Sequence, residues 1–308
     1  MLSRRSGLAL GLATLASPAV TRAQGRFPER PIRLIVPWPP GGSADAQLRS
    51  IGEIASRRLG QQVVVENRAG ASGTLGALHL KTQARPDGYT ITQMHLSIIR
   101  RPFIVRTPPW DAVADFTHII GLCGWMFGIC VKADSPLRNF QDYIAYARAN
   151  PGRLPYTTSG IATPNHLTME DIASRLGIEL THVPYRASNE AAVAVASGEV
   201  MSVADSSAWA PLVDGGQLRC ICVWTAERSA RFPNAPTLKE LGLDMVVTSP
   251  YGLSGPRGMD EGVVRILHDA CKEALFDPAN GTVRGNFDMP LEYYDTAQYR
   301  DFVRRRAD

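Results

Sequence analysis

The residues with the clearest chemical potential lie in a Pro/Gly-rich segment, Trp-Pro-Pro-Gly-Gly-Ser-Ala-Asp, at 38–45. The segment joins an apolar, β-branched stretch to a helical pattern at 43–60, which predicts a loop between a strand and a helix. The first backbone N–H groups of a helix have no intrahelical partner and carry partial positive charge. Gly41 and Gly42 leave these groups open to an anion, and Trp38 offers an apolar wall. The segment predicts an anion site, with an ordinary strand-to-helix turn as the alternative.

The other residues of this loop are predicted to hold the donors in place. Ser43 and Asp45 are residue types that cap helix N-termini through a side-chain oxygen. Pro39 restricts the backbone, so that the loop is ordered before an anion arrives. The amide of Ala44 falls in the first turn of the predicted helix and belongs to the same candidate site.

A second Gly-rich loop, at 67–76, also leads from a strand pattern into a helical pattern. Its glycines follow G-x-x-G-x-x-G rather than the dinucleotide-binding G-x-G-x-x-G, and no G-x-x-x-x-G-K-[ST] occurs in the chain. These spacings argue against nucleotide binding. Ala71 and Ser72 in this loop remain candidates for contacts with a different ligand.

Two loops in the second half of the chain repeat the pattern, one at 157–166 and one at 182–190. In open parallel sheets, the loops that follow the carboxyl ends of strands line the ligand crevice. Four such loops in two units predict a cleft that holds a carboxylate-type ligand through backbone N–H groups and hydroxyls. The candidate residues here are Ser159, Gly160, Thr163, His166, Tyr185, Arg186 and, near a strand end, Asp205.

The same residues allow a catalytic alternative, a secreted hydrolase that uses Ser159 as nucleophile and His166 as base. Against it, the chain has no G-x-S-x-G elbow and no H-E-x-x-H pair. A histidine that caps a helix or lies in the core is the simpler interpretation of His166. For Asp205, a helix cap is the alternative to a ligand contact.

These loops require a scaffold of alternating strands and helices. In the first half, strands are predicted at 31–38, 62–67 and 89–95, with helical patterns between them. A second alternation of similar size follows a crossing near 121–127. Such alternation predicts an α/β fold with parallel pairing in each unit. Two last helical stretches, at 260–276 and 297–306, are expected to pack on one unit.

Length, charge and the N-terminus narrow the class of protein. The 308 residues suffice for two domains at about 100–200 residues each. Residues 1–23 combine a basic start, an apolar stretch and a small-x-small site, which predicts a cleaved signal peptide and export. The formal charge is +4, of which Arg4, Arg5 and Arg22 lie in this segment. No basic run with aromatic interleaving remains, so nucleic acid is not expected as a partner.

Five cysteines are present, an odd number for an exported protein. Cys220 and Cys222 alternate in an apolar stretch, which predicts that both lie on one face of a strand. The simplest interpretation is that the cysteines are buried small hydrophobic residues. No cysteine spacing fits a zinc site.

Taken together, the ordered motifs resemble the substrate-binding receptors of tripartite tricarboxylate transporters, the Bug-type periplasmic solute-binding proteins. The resemblance covers most of the chain after the predicted signal peptide. It rests on "FPERPIRLIVPWPPGGSAD", "VVVENRAGASGTLGA", "RPDGYT", "DFTHIIGL", "HVPYRAS", "RFPNAPTLKELG" and "SPYGLSGPRG".

The resemblance implies a two-lobed Venus-flytrap fold of type II, with a mixed, mostly parallel sheet in each lobe. Lobe I is expected at 27–125 plus 250–308, and lobe II at 126–249. The resemblance further implies a periplasmic monomer without enzymatic activity, metal or organic cofactor. Its partners would be a small carboxylate (a di- or tricarboxylate or an aromatic acid) and the membrane permease of a tripartite transporter. A receptor that signals to a two-component system is the alternative of the same class.

Site residues carried over from the family match the loops described above. The resemblance places a carboxylate on the backbone of 38–45, and further contacts on 159–166 and Tyr185. Asp205 falls where such receptors often place a polar group near the far end of the ligand, and Ser97 follows the third strand, where the family often has Ser or Thr. The segment after Tyr185, with Arg186, departs from the family pattern, as does "SPYGL" near the second hinge.

Overall fold

The strands and helices alternate as predicted in the computed structural model, which describes residues 27–307. The strands are β1 (Ile32–Val36), β2 (Val63–Asn67), β3 (Thr90–Met94), β4 (Phe116–Cys123), β5 (Phe127–Lys132), β6 (Pro155–Thr158), β7 (Thr181–Pro184), β8 (Ser202–Ser206), β9 (Leu218–Val223), β10 (Tyr251–Pro256) and β11 (Leu291–Tyr294). The helices are α1 (Ser43–Leu59), α2 (Leu75–Thr82), α3 (Leu96–Ile104), α4 (Phe140–Ala149), α5 (Pro164–Leu176), α6 (Ser188–Ser197), α7 (Ala210–Asp214), α8 (Glu261–Phe276), α9 (Pro278–Asn286) and α10 (Thr296–Ala307). The predicted signal peptide lies outside the described residues.

Two sheets divide the chain into two lobes. Lobe I is built on a six-stranded sheet in the order β11-β4-β10-β3-β1-β2, and lobe II on a five-stranded sheet in the order β7-β6-β8-β5-β9. The chain passes from lobe I to lobe II between β4 and β5, and it returns between β9 and β10. The exact lobe boundaries given above stay a prediction.

Both sheets are mixed, but the expectation that parallel pairing predominates is wrong. β1 pairs in parallel with β2 and β3, and β6 pairs in parallel with β7 and β8. The remaining pairings, which involve β4, β10 and β11 in lobe I and β5 and β9 in lobe II, are antiparallel. Neighbouring parallel strands are joined by a right-handed strand-helix-strand connection. The strands that carry the chain between the lobes have no such connection to their neighbours in the sheet, and they pair antiparallel.

Helices cover both faces of each sheet, as apolar strands require. In lobe I, α1 and α8 pack on one face, while α2, α3 and α10 pack on the other. The two C-terminal helical stretches therefore belong to lobe I. In lobe II, α4 and α5 cover one face through Tyr143 and Met169, and α6 and α7 cover the other through Val195 and Ala210. Among residues 27–307, no helix is both long and apolar enough to cross a membrane.

A β-bulge overturns the prediction that Cys220 and Cys222 share a face. In the antiparallel pairing of β5 with β9, Ile129 lies opposite Cys222, but Cys130 lies opposite Cys220, so one residue of β9 is extra. The extra residue shifts the alternation of side chains. Cys222 consequently joins the core cluster that contains Ile129, and Cys220 packs against the opposite cluster with Cys130.

Candidate ligand-binding cleft

A cavity lies between the two lobes, at the ends of their strands, with about 480 Å³ of empty space that includes its opening to solvent. Its walls come from both lobes and from the two crossing segments. The lining residues are Trp38, Gly42, Ser43, Ala44 and Ser97 from lobe I, Trp125 and Ser249 from the crossings, and Phe127, Ser159, Thr163, Pro164, Asn165, Ala187, Ser188, Asp205 and Ser206 from lobe II.

Four helices begin at this cavity, and each contributes a lining residue from its first turn. These residues are Ser43 of α1, Ser97 of α3, Asn165 of α5 and Ser188 of α6. The α1 hydrogen-bond ladder starts with Ala46 N donating to the Gly42 carbonyl at 3.0 Å, so the helix leaves the amides before Ala46 unused. None of the described lining residues is Arg, Lys or His. Helix N-termini are therefore the source of positive potential in the cavity.

Asp45 fixes the loop that precedes α1. Its carboxylate accepts hydrogen bonds from Gly41 N at 3.0 Å, Asn67 Nδ2 at 2.7 Å and Arg49 Nε at 3.0 Å. Burial alone would raise the pKa of Asp45, but these three donors outweigh it and hold the pKa below its ordinary value. Asp45 therefore acts on the loop as an anion, while its own side chain lies outside the cavity lining. Gly41 adopts φ +88°, a left-handed conformation that favours glycine.

The Trp38 side chain is held by its own polar contact. Trp38 Nε1 donates to Gln93 Oε1 at 2.9 Å, and Asn67 Nδ2 donates to the Trp38 carbonyl at 2.9 Å. Trp38 packs beside His95 and Trp125, with ring centroids 5.1 and 6.1 Å away. Burial lowers the pKa of His95 to about 4, so this neighbour is neutral near pH 7. Trp38 thus presents a fixed apolar wall rather than a charged one.

The loop at 70–73 reaches across the cleft to lobe II. Ala71 and Ser72 adopt left-handed conformations, with φ +48° and +55°. Ser72 Oγ donates to the Ile161 carbonyl of lobe II at 2.7 Å. A Cβ placed on Gly160 would lie 2.9 Å from Ser72 Oγ, which shows how closely the two loops approach. The lobes are in contact along this rim, so the structure is that of a closed cleft.

Asp205 organises the lobe II wall. Its buried carboxylate accepts hydrogen bonds from the Ser159 amide, from Asn165 Nδ2 at 2.6 Å, from the Ser188 hydroxyl and from the Ser206 amide at 2.6 Å. Burial raises the pKa of Asp205, although these donors oppose the rise. One side chain therefore ties together the loop after β6, the first turns of α5 and α6, and the end of β8.

The hydroxyls of two threonines hold the loop at 158–163 in place through hydrogen bonds. Thr163 Oγ1 donates to the Gly160 carbonyl at 2.8 Å and also caps α5 by accepting from His166 N at 3.4 Å. Thr158 Oγ1 bonds to both the amide and the carbonyl of Gly160, at 3.2 and 3.1 Å. Gly160 itself has φ +141°, a conformation open essentially to glycine alone.

Two buried polar atoms of residues that line the cavity have no hydrogen-bond partner among the described residues. They are Trp125 Nε1 and Ser249 Oγ. Trp125 is 7% exposed and Ser249 is fully buried, and both residues line the cavity. Because a buried polar group without a partner costs free energy, these atoms are candidates for contacts with a bound molecule.

The structure brings about half of the sequence-predicted site residues to the cavity wall. Those that line it are Trp38, Gly42, Ser43, Ala44, Ser97, Ser159, Thr163 and Asp205. The lining does not include Pro39, Gly41, Asp45, Ala71, Ser72, Gly160, His166, Tyr185 or Arg186. A ligand contact by any residue of either group stays a prediction.

Three predicted residues of lobe II have other partners in the structure. His166 Nδ1 accepts from Ala162 N at 3.1 Å, and no hydrogen bond joins Ser159 to His166 among the described residues, so these two residues do not form a nucleophile–base pair. Tyr185 OH donates to Glu199 Oε1 at 2.7 Å. Arg186 is exposed to solvent and brings no charge to the cavity wall.

Reasoning from the sequence missed eight lining residues: Trp125, Phe127, Pro164, Asn165, Ala187, Ser188, Ser206 and Ser249. Three of these belong to the crossings, or to the strand that follows one, where no loop motif marks them. Ser188 follows the Ala187 cap and begins α6, so its position at a helix start was a usable signal.

Comparisons with known proteins agree on one family. The model described as "Tripartite tricarboxylate transporter family receptor" matches residues 48–308. The "UPF0065 protein in gbd 5'region" of Cupriavidus necator is 46% identical over 302 residues, which is 97% of this chain and 91% of that protein. Protein BugT of Bordetella pertussis is 30% identical over 276 residues, covering 87% of this chain and 82% of BugT.

Solved structures show the same fold. The periplasmic binding protein BugD superposes with a TM-score of 0.86 at 26% identity, over 91% of this chain and 95% of BugD. R. palustris Rpa4515, solved with adipate, gives a TM-score of 0.85 at 28% identity, over 91% of this chain and 95% of Rpa4515.

Proposed function

Since the chain belongs to the tripartite tricarboxylate transporter receptor family, we propose that it binds a small carboxylate in the cleft between its lobes and delivers it to the membrane permease of such a transporter. The single observation that carries this proposal is the convergence of four helix N-termini on a cavity whose described lining has no cationic side chain. Such an environment stabilises a small anion through backbone amides and does not require a counter-ion.

The ligand class follows from the walls of the cavity. Rpa4515, a relative of the same fold, was solved with adipate, a dicarboxylate. In this chain Trp38, Trp125 and Phe127 add flat apolar surface, which also suits the ring of an aromatic acid. The proposed ligand is therefore a di- or tricarboxylate or an aromatic acid.

Within the cleft, we place one carboxylate group at the start of α1, on the amides of Ser43 and Ala44. The Ser97 hydroxyl also lines the cavity and can donate to the oxygens of this carboxylate group. We place the rest of the ligand against Trp125 Nε1 and Ser249 Oγ, which have no hydrogen-bond partner among residues 27–307. In this placement the ligand supplies Trp125 Nε1 and Ser249 Oγ with the hydrogen-bond acceptor that the described residues do not provide.

Closure of the lobes is the proposed mechanism of capture. The two lobes touch through Ser72 and Ile161, and Asn189 of lobe II lies over Gly41. A ligand that contacts both lobes binds the closed state more tightly than the open state and shifts the population towards it. The closed form would then be the state that the permease recognises.

Location and assembly belong to the same proposal. The family is one of periplasmic receptors, and residues 1–23 have the pattern of a cleaved signal peptide that directs export. We propose that the mature chain acts in the periplasm as a monomer, without enzymatic activity. Lobe I would comprise 27–125 plus 250–308, and lobe II 126–249.

A thermal-shift screen of the mature protein (residues 24–308) against mono-, di-, tri- and aromatic carboxylates tests the function. At a hundredfold excess over Kd, mass action gives about 2.7 kcal/mol of stabilisation, which is several degrees in a protein of this size. A shift with one class of acid supports the receptor and names its ligand class. If the ligand-free protein, after unfolding and refolding to remove carried-over ligand, shifts with no acid, the proposal is wrong.

Trp125→Phe is expected to weaken binding of the acid found in that screen by about fivefold, or about 1 kcal/mol. The change keeps an aromatic ring in the wall and removes the Nε1 donor together with part of the bulk of the indole, a loss of bulk that the control variant shares. Titration calorimetry on both proteins measures the difference. Trp110→Phe is the matched control, because Trp110 Nε1 donates to the Ile98 carbonyl at 2.9 Å and Trp110 lies outside the cavity lining. Equal affinity in the Trp125 and Trp110 variants would show that the Trp125 Nε1 donor does not contribute to ligand binding.

A further inference from the structure

Cys130 and Cys220 lie directly opposite each other on neighbouring antiparallel strands of lobe II. Opposite residues in such a pair have Cα atoms about 4.5–5.5 Å apart, which falls within the range of about 4.4–6.8 Å found for disulfides. Both side chains are on the same face, against the cluster that contains Val203 and Trp209. We propose that Cys130 and Cys220 form a cross-strand disulfide in the mature protein.

The surroundings give the two thiols different roles. Cys220 is partly exposed and lines an open groove of about 690 Å³ together with Arg219 and Arg231. Cys130 is fully buried, and burial, together with the neighbouring Cys220 thiol, raises its pKa well above the ordinary value. Cys220 is therefore the thiol that meets an external oxidant, and Cys130 is the resolving thiol beneath it.

The oxidant in this reaction is an external disulfide, supplied by an oxidising protein or by a small molecule in the periplasm. The Cys220 thiolate attacks one of its sulfurs and expels the other as a thiolate, which leaves a mixed disulfide on Cys220. The Cys130 sulfur, after losing its proton, then attacks the Cys220 sulfur and expels the second oxidant thiolate. Two thiols of the protein become one disulfide, and two electrons and two protons reduce the oxidant to two thiols.

The other cysteines are poorly placed for this chemistry. Cys222 lies on the opposite face of β9, and Cys123 and Cys271 are buried in the other core cluster. The proposed bond has a structural consequence as well. It links β5, the first strand after one crossing between lobes, to β9, the last strand before the other. It would therefore brace the part of lobe II from which both crossings leave.

Thiol labelling of the full mature chain, secreted to the periplasm of a bacterial host, tests this proposal. The protein is denatured with excess alkylating agent and no reductant, and its intact mass is measured before and after reduction. With five cysteines in the chain, we expect three labels before reduction and five after it, with a linked peptide pair containing Cys130 and Cys220. Five labels before reduction, in protein also incubated with oxidised glutathione, would overturn the proposal, as would a linked pair of other cysteines.

Matched variants make the assignment specific. Cys220→Ser should leave four labelled thiols before reduction, because Cys130 loses its partner. Cys271→Ser should leave two, because the disulfide is retained. Reductant should lower the Tm of the natural chain and of Cys271→Ser by several degrees, and leave that of Cys220→Ser unchanged.

Discussion

Asp205→Ala is expected to lower ligand affinity at least a hundredfold and to lower the free energy of unfolding by about 2–4 kcal/mol. The substitution removes the shared acceptor of the Ser159 amide, Asn165 Nδ2, the Ser188 hydroxyl and the Ser206 amide. These donors would be left without a partner in the cavity wall, and the loops that carry them would lose their common anchor. Calorimetric titration with the acid found in the screen, together with urea unfolding, measures both effects.

Asp171→Ala is the control for this prediction. The Asp171 side chain, 45% exposed on the same lobe, pairs with Arg175 along α5. Such an interaction is worth a few tenths of a kcal/mol. If Asp205→Ala does not fold, Asp205→Asn retains one acceptor oxygen and should show an intermediate loss of affinity. Natural affinity in a folded Asp205 variant would show that this carboxylate does not organise the binding wall.

Gly160→Val is the second substitution with a large expected effect, a loss of affinity of about thirtyfold or more. At φ +141°, a residue with a side chain is strained, and the added Cβ would lie 2.9 Å from Ser72 Oγ and 3.5 Å from Ser72 Cα across the cleft. The branched methyl groups of valine extend further towards that backbone, so the closed state loses more free energy than the open state. Small-angle scattering should show that saturating ligand no longer compacts the protein.

Gly177→Val separates closure from backbone strain. Gly177 has φ +61° at the end of α5, and a Cβ there would meet nothing within 4 Å. Valine at this position is expected to cost stability without changing affinity. If Gly160→Val and Gly177→Val bind the ligand equally well, contact between the Gly160 and Ser72 loops plays no part in capture.

Local sequence patterns predicted the parts of the fold that depend on interactions between residues close together in the chain. The loop at 38–45 follows a β-branched strand and precedes an amphipathic helix, so its position could be predicted from the sequence alone. The same reasoning found Ser159 and Thr163, because hydroxyl residues at a helix start have a structural role that depends on few neighbours.

The two strands of lobe I beside the crossings, β4 and β10, could not be predicted in this way. Gly252 in β10 and Gly121 in β4 lie so close to other groups that a Cβ would be 1.9 Å from the Ile120 carbonyl oxygen and 2.6 Å from the Tyr294 ring. These glycines are required for close packing, yet Gly252, with Gly255 and Pro256, gives β10 the composition of a turn. Trp125 and Ser249, beside these strands, reach the cavity through long-range pairing that no local pattern shows.

The bulge in β9 is a further limit of prediction from pattern. Alternation placed Cys220 and Cys222 on one face, but one extra residue in the strand separates them. Only the register with β5 reveals the bulge, and the Cys130–Cys220 pairing on which the proposed disulfide depends is a consequence of that register.

Calorimetric titration of the mature protein with the strongest acid from the screen and with its fully esterified methyl form tests the proposed recognition most directly. We propose that amides at helix N-termini recognise the negative charge of a carboxylate group. The acid should therefore bind at least a hundredfold more tightly than the ester, which keeps the carbon skeleton and removes the charge. Equal affinity for acid and ester would contradict this proposal, because the cavity would then recognise shape and apolar surface rather than an anion.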